Sequence, residues 1–85
     1  MRPVTIYTTP ICPCCVRAKE LLKKKGARFE EVDVFMDTHA RREMEQRSGG
    51  RRTVPQIFVG DVHVGGSDDL AALERAGRLD PLLKE

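Results

Sequence analysis

The chain has 85 residues, 40% hydrophobic and 33% charged, enough for one modest core and unlike a disordered or membrane-spanning chain. Fifteen Lys and Arg against thirteen Asp and Glu leave a net charge of +2, too little to hold nucleic acid or anionic lipid by charge. No apolar run reaches the ~18 residues of a membrane helix, and Met1-Arg2-Pro3-Val4-Thr5 leads into no signal-peptide core. The three cysteines, Cys12, Cys14 and Cys15, are odd in number and sit together, so they cannot staple distant loops. Thiols clustered in this way suit a reducing cytoplasm, where they are catalytic or metal-binding. The expectation is one soluble, monomeric domain over residues 1–85.

Val4 to Tyr7 alternates as a short strand, and Thr8 to Ile11 follows as a loop. Pro13 suits the first turn of a helix, where its missing N–H costs nothing, and the pattern predicts a helix to about Lys25 with Cys15, Ala18 and Leu22 on one stripe. Gly26 is its natural stop. Arg28 to Val34 reads as a second strand, parallel to the first through a right-handed crossover. Asp37 or Thr38 caps a second, partly exposed helix ending near Ser48, with Glu43 and Arg47 spaced as an i,i+4 pair. Gln56 to Val59 and Val62 to Gly65 flank Gly60-Asp61, a two-residue hairpin turn. Ser67 caps a third helix with Asp68 and Asp69 in its first turn, and Asp80-Pro81 opens a terminal turn. The order β-α-β-α-β-β-α predicts an α/β fold, a four-stranded mixed sheet flanked by three helices.

Cys12-Pro13-Cys14-Cys15 carries the chemistry. With Pro13 as the first helical residue, Cys12 becomes the N-cap, and its sulfur faces unpaired N–H groups and the positive helix end. Both favour thiolate, the nucleophilic form, and Arg17 and Lys19 are nearby positive charges. Cys15 lies about one turn on and can reach the Cys12 sulfur, whereas Cys14 lies roughly 200° around the helix and points elsewhere. Cys12 therefore attacks, Cys15 resolves, and Cys14 is a bystander or modulator. A zinc or iron–sulfur half-site would need further ligands, and His39 and His63 stand at no finger-like spacing. No metal site is expected, and both histidines read as surface or hydrogen-bonded residues.

Ile6-Tyr7-Thr8, the Cys12-to-Cys15 motif, Thr53-Val54-Pro55-Gln56-Ile57-Phe58 and Gly65-Gly66-Ser67-Asp68-Asp69-Leu70 follow one another in order. In these blocks the chain resembles the glutaredoxins over nearly its whole length. The resemblance implies a thioredoxin-like fold and glutathione-dependent reduction of protein disulfides and glutathione mixed disulfides, with glutathione as co-substrate and no permanently bound cofactor. It further implies a cis Pro55 beside the active cysteine, next to Thr53, with Val54 pairing its backbone to glutathione like an added strand. By itself the segment from Gly65 to Asp69 reads as a glycine turn, a cap and acidic first-turn residues. By resemblance it binds the γ-glutamyl end: N–H groups of Ser67 and Asp68 hold the α-carboxylate, Asp68 and Asp69 take the ammonium, and Gly65 and Gly66 permit close approach.

The chain departs from the family pattern in two places. Thr9 stands where a lysine commonly meets the glycine carboxylate of glutathione. Arg41 is the matching second-helix residue by spacing, with Arg42, Arg51 and Arg52 as alternatives. Cys14 stands where many members carry an aromatic residue against glutathione. Two other functions share the motif: a redoxin fed by thioredoxin reductase, disfavoured by Asp68-Asp69, and a glutathione-ligated [2Fe–2S] module bridging two chains, disfavoured by Pro13.

Overall fold

The computed structural model describes residues 1–84. Its elements are β1 (Val4–Thr8), α1 (Pro13–Lys24), β2 (Phe29–Asp33), α2 (Thr38–Arg47), β3 (Gln56–Val59), β4 (Val62–Gly65), α3 (Ser67–Arg75) and α4 (Leu79–Lys84). The sheet runs β2-β1-β3-β4. β1 pairs parallel with β2 and antiparallel with β3, and β3 pairs antiparallel with β4. This is the mixed four-stranded sheet of a thioredoxin-like fold. The helices flank it on both faces.

Alternation along the strands divides the core in two. Val4, Ile6, Ile57 and Val59 meet Ala18 and Leu22 of α1, Leu70 of α3 and Leu79 and Leu83 of α4. On the other face Tyr7 and Phe58 meet Val34, Ala40 and Met44. Because β1 and β3 are central, nearly every residue in them is buried, the polar Thr8 and Gln56 included. α2 lies on the thinner side and buries Ala40 and Met44 alone.

Most sequence-derived boundaries hold within a residue. α1 stops at Lys24, with Gly26 at φ +71° just beyond, the left-handed conformation glycine adopts without strain. Arg28 and Val34 fall outside β2. Asp37 is the α2 cap, its carboxylate accepting from the Ala40 N–H at 2.9 Å. Three readings change. The N-cap of α3 is Gly66 and not Ser67, which is already helical. The carboxylate of Asp69 reaches back to accept from the Gly66 N–H at 2.9 Å, supplying the cap from inside the helix. Glu43 and Arg47 do not pair directly: Tyr7 Oη donates to Glu43 Oε1 at 2.7 Å and accepts from Arg47 Nη1 at 2.8 Å. The expected terminal turn is a fourth helix, α4, because burying Leu79 and Leu83 on one face completes the core under α1 and α3.

At the end of the sheet where β1 terminates and β3 begins, the chain leaves β1 into α1 and enters β3 through Thr53-Val54-Pro55. The β4–α3 junction lies alongside.

Candidate active site

Cys12 has extended backbone (φ −149°, ψ 100°) and caps α1, with Pro13 as the first helical residue. The Cys15 N–H donates to Cys12 Sγ at 3.1 Å, a contact available because the first-turn amides of a helix have no internal acceptor. Cys12 Sγ also lies 4.0 Å from the Val54 carbonyl oxygen, toward which its S–H donates. Cys15 is buried below and all three cysteines are reduced. Burial chiefly pushes the Cys15 thiol up to about 12, and the hydrogen bond and negative charge of Cys12 add to it. The Thr9 backbone and Lys19 act the other way. Cys15 is thus a thiol held in reserve beneath a partly exposed sulfur.

The positive side chains expected at Cys12 are engaged elsewhere. Arg17 Nη2 donates to Cys14 Sγ at 3.3 Å. Lys19 pairs with Glu31 at 2.9 Å, and Glu31 also accepts from the Thr8 hydroxyl at 2.7 Å. The Thr8 bond, then Lys19, holds the Glu31 carboxyl below its usual range.

A cleft of about 320 Å³ is lined by Cys14, Arg51, Thr53, Val54, Pro55, Gly66, Ser67, Asp68 and Asp69; Cys12 is outside this lining and adjoins it through the Val54 carbonyl. The fold therefore gathers nine of the residues singled out from sequence, from three separate parts of the chain. Cys14, expected to point away from Cys15 and named among the ligand-side residues, belongs to this wall. The Val54–Pro55 peptide is cis, as expected. Asp69 is committed to the Gly66 amide and lies 3.6 Å from Arg51 Nη1, while exposed Asp68 makes no ion pair among the described residues.

Gly65 is required by space as well as by conformation. It has φ +115°, and a Cβ there would collide with the Asp69 carboxylate and sit 3.1 Å from Arg51 Nη1. Two expected residues stay outside the cleft. Thr9 lines a small apolar hollow with Pro10, Ile11 and Phe35, and Arg41 reaches the Arg52 carbonyl at 3.5 Å. Arg51 is the arginine that enters the cleft, whereas Arg52 faces Glu45 at 3.8 Å. Arg51 was one of the alternatives to Arg41 that the sequence offered, and spacing alone did not choose among them.

Sequence reading also missed the support behind the cleft. Gln56, fully buried, donates through Nε2 to the Thr53 carbonyl at 2.9 Å and to the Thr53 hydroxyl at 3.1 Å. Its Oε1 lies 2.8 Å from His63 Nε2. The His63 ring stacks on Phe58 with centroids 4.8 Å apart. Burial, then the charge of Arg51, lowers the His63 pKa, opposed by Asp69. The one available signal was a glutamine inside a buried strand, which must find partners.

Known proteins match this arrangement. The family model Glutaredoxin matches residues 4–64. A glutaredoxin of Pseudomonas aeruginosa is 54% identical over 83 residues, covering 98% of this chain and 98% of its own. The solution structure of glutaredoxin from Brucella melitensis superposes with a TM-score of 0.85 at 60% identity, covering 99% of this chain and 90% of that one. A buckwheat glutaredoxin–glutathione complex superposes with a TM-score of 0.85 at 30% identity, covering 96% of this chain and 76% of that one. The chain belongs to the glutaredoxin family and is a thiol–disulfide oxidoreductase.

Proposed function

We propose that the protein is a glutathione-disulfide oxidoreductase of the cytoplasm, acting as one domain on glutathionylated and disulfide-bonded proteins. It uses glutathione as co-substrate and has no resident cofactor. The observation that carries this reading is the cleft: a capping sulfur stands at its edge, next to the Val54 carbonyl, and a helix N-terminus forms its far wall. The structural likeness to a glutathione-bound relative supports the same ligand.

Cys12, as thiolate, attacks the glutathione sulfur of a mixed disulfide. The protein leaves as a thiolate that takes up a proton, and Cys12 becomes joined to glutathione. A second glutathione thiolate attacks that bond, releasing oxidised glutathione and regenerating Cys12. With a protein disulfide, Cys12 first forms a mixed disulfide with the client. Cys15, after losing its proton, then attacks Cys12 and frees the reduced client.

The backbone of Val54 pairs with the cysteinyl unit of glutathione as a short added strand. N–H groups at Ser67 and Asp68 hold the γ-glutamyl carboxylate, and Asp68 takes the ammonium, since Asp69 is occupied as a cap. Arg51, in place of the expected Arg41, is the cation available to a ligand carboxylate and supplies the charge that Thr9 lacks.

Serine variants of the cysteines test this reading. Cys12→Ser abolishes reduction of both substrate classes. Cys15→Ser retains reduction of a glutathione mixed disulfide and loses glutathione-driven reduction of a protein disulfide. Loss of both activities in folded Cys15→Ser refutes the division of roles, and a wild type indifferent to glutathione refutes the co-substrate.

A further inference from the structure

We infer that Gln56 is a positioning residue for the substrate-pairing edge of the cleft, with His63 fixing its orientation; this rests on glutathione pairing with Val54. The argument begins with the peptide plane. The Thr53–Val54 bond is trans, the cis bond being that between Val54 and Pro55. In a planar trans peptide the C=O and N–H point in opposite directions. Gln56 Nε2 holds the Thr53 C=O at 2.9 Å on the buried side, so the Val54 N–H on the same plane is turned the other way. That N–H donates to no backbone group among the described residues, and Thr53 and Val54 both line the cleft. The second bond, to Thr53 Oγ1 at 3.1 Å, pins the side chain of the same residue and prevents the plane from rocking.

Gln56 can do this in one orientation. A carbonyl oxygen such as that of Thr53 only accepts, so the NH₂ of Gln56 must face it and Oε1 must face the other way. Oε1 then needs a donor, and His63 Nε2 at 2.8 Å is placed to be one. The ring of His63 is in turn held by its stack on Phe58. The partners lie on antiparallel neighbours β3 and β4, three residues after Thr53 and across the hairpin. Gln56 is fully buried, so a flipped or truncated amide would leave polar groups without water to replace their partners.

Steady-state kinetics with a glutathione mixed disulfide as varied substrate test the assignment. Gln56→Leu keeps approximate volume and deletes both arms; KM rises about tenfold while kcat stays within about twofold, as expected when a buried hydrogen-bonded contact is lost from binding. His63→Phe keeps the ring stack, removes the donor to Oε1, and raises KM in the same direction by less. Dithiothreitol-driven reduction of a glutathione-free protein disulfide, which does not use the Val54 edge for glutathione, changes by less than about twofold in both variants. If Gln56→Leu does not fold, His63→Phe and Gln56→Met carry the same expectations.

Unchanged KM in these folded variants overturns the positioning role while leaving glutathione dependence standing. An equal loss on both substrates also overturns it, since that marks a general structural defect. A wild type that shows no saturation by glutathione substrates overturns the co-substrate reading and this inference together.

Discussion

Cys15 shows how one buried sulfur can be both inert and poised. Burial is the first cause of its raised pKa, and Cys12 supplies two of the remaining causes, a hydrogen bond and a negative charge. In the folded chain the thiol titrates near about 12, against an ordinary value of about 9. The folded state thus keeps a proton that the unfolded chain gives up. The stabilisation this affords is complete below the ordinary value and is lost as pH rises toward the folded one. Urea titrations under reductant, compared with Cys15→Ala, are expected to show the wild type losing more stability between about pH 9 and pH 12; parallel curves for the two proteins contradict it. At the same scale, Gly65 is needed because any side chain would meet Asp69. Its role was visible in sequence as a glycine next to a helix start, but its crowding partner was not.

The helices differ in how plainly the sequence announces them. α1 is bracketed by Pro13 and Gly26, and both boundary signals act locally, so its span was legible to within a residue. The Gly60-Asp61 turn fixed β3 and β4 for the same reason. α4 was legible only as a turn with leucines available to pack, because Asp80-Pro81 carries a local turn signal, and what makes it helical is distant: Leu79 and Leu83 fill the space beneath α1 and α3. Leu83→Ala is expected to cost about 2–4 kcal/mol in urea unfolding, as for other buried leucines, whereas half-buried Leu82→Ala costs less. A loss below about 0.5 kcal/mol would instead match an exposed terminal turn. The candidate site divides along the same line. Cys12, Val54 and the start of α3 carry local signals, while the entry of Arg51 depends on loop geometry and the Gln56–His63 contact on pairing across a hairpin.

On the scale of the molecule, the cleft is made from the N-terminus of α1, the loop before β3 and the junction of β4 with α3. These segments lie far apart in the chain and meet only because β1, β3 and β4 are adjacent in the sheet. At the opposite end of α1, Lys25 ties the same framework together, 2.7 Å from Glu74 and 3.2 Å from Asp80. Thermal loss of mixed-disulfide reduction and loss of far-ultraviolet ellipticity are therefore expected to share one midpoint, as in a two-state transition; activity that fades well below the melt would contradict this. With its walls drawn from three separated stretches of the polypeptide, the pocket has no existence apart from the finished sheet. Turnover can consequently serve as a census of intact molecules, since a fragment or a half-assembled chain would keep the reactive sulfur yet lack the cleft beside it.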